Sequence, residues 1–278
     1  MKVSHILPIC FSPTGQTKNI VLNLSRQLSS TLGVALFPCL DFTLPSQRQK
    51  YQLLSVSPST LVVFGSPTYA GRIPNRILPF IETLFRGSNT PSISVVTFGN
   101  RSFDSSLTEL SVLLDCLHFH VFAASAWVYP HVFSAHIASN RPNNEDIKLR
   151  EQFVWAICQK LHHAKDYREL SKPQIYEKEI MPYYTPLDIN GKPALFLKAK
   201  PITNPLKCNH CSICINHCPM GAISADNPQI VNGICIKCHA CISVCPNQAK
   251  YFKDESFLSH VSMLEQYYTT PAKSEIYL

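Results

Sequence analysis

The chain predicts an α/β fold, a doubly wound five-stranded parallel sheet in the order 2-1-3-4-5, followed by a small α+β domain organised by cysteine. Three observations carry that reading. Over residues 1–165, apolar strand-like runs alternate with amphipathic helical spacing, and five such runs occur. Eight of the 12 cysteines fall late in the chain, in two copies of Cys-x2-Cys-x2-Cys-x3-Cys-Pro. At 278 residues and 45% hydrophobic composition, the chain is long enough for two cores.

The strands are expected at Val3 to Phe11, Ala35 to Asp41, Leu61 to Gly65, Ile93 to Phe98 and Val121 to Val128. Helical spacing follows in Ile20, Val21, Leu24 and Leu28; in Ile77, Ile81, Leu84 and Phe85; in Leu107, Leu110, Leu114 and Leu117; and in Phe153, Val154, Ile157 and Leu161. Pro8 conflicts with a central first strand, because it lacks a ladder donor, and a bulge is expected there. Residues 166–200, rich in proline and tyrosine, read as a connector too aromatic to be free linker. Residues 201–255 form the cysteine-rich domain, whose halves repeat at a separation of 27 residues, from Cys208 to Cys235 and from Cys218 to Cys245. The tail, 256–278, places Phe257, Val261 and Leu264 at helical spacing, for packing either on the core or in a homodimer.

A thiolate every third residue lets one loop wrap an iron–sulfur cubane, while the fourth cysteine, turned by proline, ligates the neighbouring cluster. Two 4Fe-4S clusters are therefore predicted. Cys208, Cys211, Cys214 and Cys245 hold one, and Cys235, Cys238, Cys241 and Cys218 hold the other. Structural zinc uses separated cysteine pairs, whereas a third thiolate follows at once in each copy here. A disulfide framework belongs to short secreted chains. His210, His217 and His239 lie inside the motifs and are expected as exposed loop residues.

The formal charge of +7 does not indicate a nucleic-acid surface, for no basic run is present and the clusters offset most of the excess. Lys207, Lys237, Lys250 and Lys253 lie near the cysteines, on a solvated surface by the simplest reading. The N-terminal apolar run is too short and too soon broken by proline for a signal segment, and no stretch is long enough for a membrane span. A cytoplasmic, reducing compartment is expected, with redox proteins as partners and neither nucleic acid nor membrane. Cys10, Cys39, Cys116 and Cys158 read as small buried hydrophobes.

In an open parallel sheet the ligand sits beyond the carboxyl ends of the strands. After the first strand, Ser12-Pro13-Thr14-Gly15-Gln16-Thr17-Lys18 offers hydroxyls and helix-terminal amides suited to a phosphate monoester. No G-x-G-x-x-G occurs, so a dinucleotide site of that kind is not supported. After the third strand comes Gly65-Ser66-Pro67-Thr68-Tyr69-Ala70-Gly71-Arg72-Ile73-Pro74, and after the fourth Phe98-Gly99-Asn100-Arg101-Ser102-Phe103-Asp104. Small residues there let the backbone approach a flat ring, with Tyr69 and Phe103 as stacking walls.

These three loops resemble a flavodoxin domain. Together with the twin cysteine motif, and with His131-Val132-Phe133-Ser134 and Arg141-Pro142 ahead of acidic Glu145 and Asp146, the chain resembles the EFR1 family of bacterial flavodoxin–ferredoxin fusion proteins. The resemblance implies FMN beside the two 4Fe-4S clusters. It places Ser12, Thr14, Gly15, Gln16 and Thr17 at the phosphate, and Pro67, Thr68, Tyr69, Gly71, Gly99, Asn100 and Arg101 around the ring. Arg72 and Arg101 would add positive charge where a reduced flavin becomes anionic. The expected function is electron transfer between the clusters and FMN, with no catalytic residue of the chain's own. The alternative is an FMN-dependent reductase that acts on a small molecule and is fed by its clusters.

Overall fold

Strand β1 (His5–Cys10) lies inside the sheet, and its side chains alternate between two cores, Leu7 and Ile9 facing one, Ile6 and Cys10 the other. The structure is a computed structural model and describes residues 2–175 and 179–278. Helix α1 (Gln16–Leu32) follows, then β2 (Ala35–Leu36) and β3 (Leu40–Asp41), both parallel to β1. The short helix α2 (Pro45–Arg48) leads to β4 (Leu54–Val56), which pairs outside the main sheet with β6 (Phe85–Gly87). Between them lie β5 (Thr60–Pro67) and helix α3 (Leu78–Leu84). Strand β7 (Thr90–Phe98), helix α4 (Ser106–Cys116), strand β8 (Phe119–Val128) and helix α5 (Asn144–His163) complete this part.

With β2 and β3 sharing one side of β1, the parallel strands run β2/β3-β1-β5-β7-β8. That is the 2-1-3-4-5 order. Helices α1 and α5 cover one face through Leu24, Leu28, Phe153 and Ile157, and α3 and α4 cover the other through Ile81, Leu84, Leu110 and Leu114. The parity of the strands makes this possible. Leu61 and Val63 of β5 face the first pair of helices, Val62 and Phe64 the second.

The second strand departs from expectation, being split at Phe37-Pro38-Cys39 into β2 and β3. The split explains Pro8, where no bulge forms: β1 keeps unbroken register with β5, Pro8 opposite Val63. The carbonyls of Ile6 and Cys10 accept from Phe37 and Phe42 on the β2/β3 side. By the same parity the missing donor of Pro8 faces the gap between β2 and β3, so no ladder bond is lost. A register shift occurs instead between β7 and β8, at Ser92/Ile93.

The cysteine-rich segment is built from β9 (Ile202–Thr203), α6 (Ile213–Asn216), α7 (Ala240–Ser243) and β10 (Lys250–Tyr251), with β9 antiparallel to β10. The tail then contributes α8 (Glu255–Tyr267) and β11 (Glu275–Tyr277). Strand β11 joins the main sheet antiparallel to β8, so a sixth position is added beyond the five parallel ones. Of the two roles open to the tail's apolar residues, Phe257 and Leu264 take core packing. Among the described residues, no helix is long and apolar enough to cross a membrane.

Candidate functional site

At the carboxyl ends of β1, β5 and β7 lies a cavity of about 220 Å³. The loop after β1 enters it at the N-terminus of α1. Gly15 adopts a left-handed conformation (φ 83°) with open space where a side chain would be, so this turn requires glycine. Thr14, Gln16 and Thr17 line the cavity. The Gln16 amide donates to the Pro130 carbonyl (2.9 Å), and the Thr17 and Thr97 hydroxyls share a 2.7 Å hydrogen bond. Ser12 sits behind them, its Oγ accepting from the Lys18 amide (2.9 Å) and its own amide donating to Thr43 Oγ1 (2.7 Å). The arrangement fits an anionic phosphate group.

Pro67, Thr68, Tyr69, Gly99 and Arg101 also line the cavity. Expectations about its walls change at Gly71, Phe103, Arg72 and Asn100. A Cβ on Gly71 would run into Asp104, and one on Gly99 into His131, so these glycines make room for the protein's own side chains. Phe103 packs on Phe98 (5.3 Å between centroids) against the core and is not among the residues lining the cavity. Arg72 is engaged with buried Glu109 through two hydrogen bonds (2.7 and 2.6 Å) and brings no free charge. Asn100 turns its amide to the tail, donating to the carbonyls of Tyr268 (2.7 Å) and Thr270 (3.0 Å) and accepting from the Ala272 amide (2.8 Å). Arg101 alone of the two arginines faces the cavity, where it pairs with Asp104 and lies over the Tyr184 ring at 3.9 Å.

The remaining walls were not among the expected site residues. Tyr184, Pro186 and Phe196 come from the connector, Ile236 and Lys237 from the second cysteine motif, and His260 and Leu264 from α8. His131, in the loop after β8, is a further wall. Burial, with His260, His239 and Arg101 nearby, lowers its pKa to about 3, so it is neutral at pH 7. Its Nδ1 accepts from the Phe133 amide (3.1 Å), which assigns its proton to Nε2. Burial raises the Tyr69 phenol well above its usual range, with Cys238 and Cys235 adding to the effect. No local pattern marks connector residues as walls. They reach the cavity only through the fold.

Two further cavities are each ringed by four cysteines. Cys208, Cys211, Cys214 and Cys245 line one, and Cys218, Cys235, Cys238 and Cys241 line the other. Each thus combines three cysteines of one motif with the fourth of the other. The 27-residue repeat is visible in the backbone, where His210 and Lys237, Ser212 and His239, and Gly221 and Gln248 form pairs of left-handed residues. In both halves an amide points at the fourth sulfur, Ala222 at Cys218 and Ala249 at Cys245, each at 3.2 Å. Burial pushes the Cys241 thiol up to about 12, a cost that bound iron would remove because a coordinated thiol is deprotonated outright.

Two side chains add to this fit. Lys250, expected on the surface, is buried on the wall of the first cysteine cavity and donates to the Pro228 carbonyl. His239, expected in an exposed loop, lines the second, and its Nε2 is buried with no hydrogen-bond partner. A buried orphan nitrogen beside four sulfurs is what a cluster's sulfur acceptors would satisfy. His210 and His217 are exposed as expected.

Residues 200–246 match the family profile of the 4Fe-4S dicluster domain. The chain joins a flavodoxin-like α/β fold to a 4Fe-4S dicluster domain. Among solved structures it is similar to a flavodoxin of Streptococcus pneumoniae TIGR4, with 16% identity over 56% of this chain and 99% of that one and a TM-score of 0.39. A flavodoxin from an archaeon is 11% identical over 57% of this chain and 99% of its own, with a TM-score of 0.38. The apo form of the NADH:FMN oxidoreductase EmoB is 9% identical over 61% and 95%, with a TM-score of 0.43. No curated protein matches the chain in sequence.

Proposed function

We propose that the protein carries electrons between FMN, held in the cavity at the strand ends, and two 4Fe-4S clusters held by the crossed cysteine sets. One observation carries the reading. Ile236 and Lys237 form a wall common to the strand-end cavity and to the cavity of Cys218, Cys235, Cys238 and Cys241. His131 and Phe133 line the first cavity and His239 the second, with ring centroids 5.0 Å apart from His131 to Phe133 and 4.8 Å from Phe133 to His239. The Cys218 set is therefore the inner station. The Cys208 set shares no wall with the strand-end cavity and has Cys211 exposed, which makes it the outer station, facing a redox protein.

In this reading Thr14, Gly15, Gln16 and Thr17 hold the FMN phosphate, with Ser12 fixing their loop. Pro67, Thr68, Tyr69, Gly99 and Arg101 surround the ring. Gly71 and Asn100 shape the loops from behind. FMN takes up two electrons and releases them singly, so the chain interconverts one-electron and two-electron traffic. Tyr184, Phe196, His260 and Leu264 bring the protein's own connector and tail to the walls of this cavity. Walls supplied by the protein itself leave less room for a small-molecule substrate beside the ring, which favours a carrier over a reductase.

Anaerobic purification is expected to yield about eight iron, eight sulfide and one FMN per chain. Stopped-flow mixing should then give rapid exchange with a ferredoxin and slow exchange with NADH or NADPH. Protein with clusters but no flavin would overturn the reading, as would flavin turnover driven by a small substrate alone.

A further inference from the structure

Cys10 and Cys39 lie outside both cysteine cavities and are not needed by the proposed electron path. Their sulfurs are 3.7 Å apart and hydrogen-bonded. Cys10 ends β1, and Cys39 precedes β3, whose Leu40 and Asp41 stand opposite Ile9 and Cys10. Closing the gap from 3.7 Å to the bonding distance of about 2.05 Å takes only a small approach of Cys39 toward the end of β1. We propose that Cys10 and Cys39 form a reversible disulfide, a two-electron redox site beside the phosphate loop.

The two sulfurs have distinct roles. Cys39 is partly exposed and Cys10 is buried. The hydrogen bond from Cys10 lowers the Cys39 pKa against burial and against Asp41, and the same bond, with burial, raises that of Cys10. Lys18 Nζ stands by, 3.0 Å from Asp41 Oδ2. Cys39 is thus the thiolate that meets an oxidant, and Cys10 the resolving thiol. With a low-molecular-weight disulfide as oxidant, the Cys39 thiolate attacks one sulfur and expels the first thiolate. Cys10 then loses its proton, attacks the Cys39 sulfur and expels the second. The protein loses two electrons and two protons, and the small disulfide becomes two thiols.

The bridge would also act on the neighbouring loop. Asp41 Oδ1 accepts from the Thr43 amide (3.0 Å), and Thr43 Oγ1 accepts from the Ser12 amide (2.7 Å). Drawing Cys39 toward β1 therefore strains the residues that anchor the phosphate loop.

The test uses anaerobically purified holoprotein equilibrated with graded ratios of oxidised to reduced glutathione, then alkylated, digested and mapped. A cross-linked peptide joining Cys10 to Cys39 is expected, reversed by dithiothreitol, while Cys116 and Cys158 remain alkylated. In Cys10→Ser the mixed disulfide on Cys39 should accumulate, and in Cys39→Ser Cys10 should stay unmodified. Absence of the cross-link at every ratio in the wild-type protein overturns the proposal, whatever the variants do. Amide exchange across residues 12–18 should differ between oxidised and reduced protein; equal rates would overturn the coupling to the loop.

Discussion

Glu109 carries more structure than its place in an amphipathic helix suggests. Besides its two hydrogen bonds from Arg72, it accepts one from the Ile73 amide (2.8 Å), and it is buried, so the loop after β5 hangs on one carboxylate. Glu109→Gln leaves the guanidinium short of its counter-charge, and a loss of about 3 kcal/mol is expected. A lower urea midpoint with unchanged slope would register it. Asn100 plays a similar part for the tail. Asn100→Ala removes three hydrogen bonds and should cost about 2 kcal/mol, with faster amide exchange in β11 as the local signature. At this scale the sequence was a partial guide. Thr14, Gln16, Thr17, Tyr69 and Arg101 line the cavity as their loop positions suggested. Asn100 and Arg72 point elsewhere, because loop spacing places a residue near a site without orienting its side chain.

The helices and parallel strands follow from periodicity, since a period of 3.6 or 2 must be matched by an apolar surface to bury it. The elements that escaped are short or depend on partners. Strand β11 has three residues and no usable period. Its position is set at the start of α5, where Asn143 and Asp146 form a capping box and Asp146 also receives Arg141 and Ser274. Burial would raise the Asp146 pKa, but hydrogen bonds from Arg141, Ser274 and Asn143 hold it below its usual value of 3.8. A carboxyl depressed by folding contributes stability that is complete above the unfolded pKa and is lost as pH falls through the folded one. Unfolding should therefore become easier below about pH 4, and Asp146→Asn should flatten this acid dependence while lowering stability at neutral pH. An acid limb as steep in the variant as in the wild type would assign the effect to other carboxyls.

For the whole molecule, the two parts draw stability from different sources. The sheet has two cores of aliphatic and aromatic side chains, whereas the cysteine-rich segment has two-residue strands and four-residue helices. Such a segment is expected to depend on bound metal for folding. Anaerobic chelation of iron should abolish amide protection over residues 201–252 and leave β1, β5 and β7 protected; simultaneous loss in both parts would show one cooperative unit. Arg48 is one tie between the parts, buried in the first and donating to the Pro219 carbonyl of the second (2.6 Å). By itself the sequence determined the strand order, the helices and the crossed cysteine sets, because hydrophobic period and ligand spacing are local properties written along the chain. Only the tertiary structure decided that Ile236 and Lys237 line two cavities at once, that the connector and α8 supply walls at the strand ends, and that Cys39 meets Cys10. Those contacts join residues far apart in sequence, and their distances depend on how two cores and a split strand pack together.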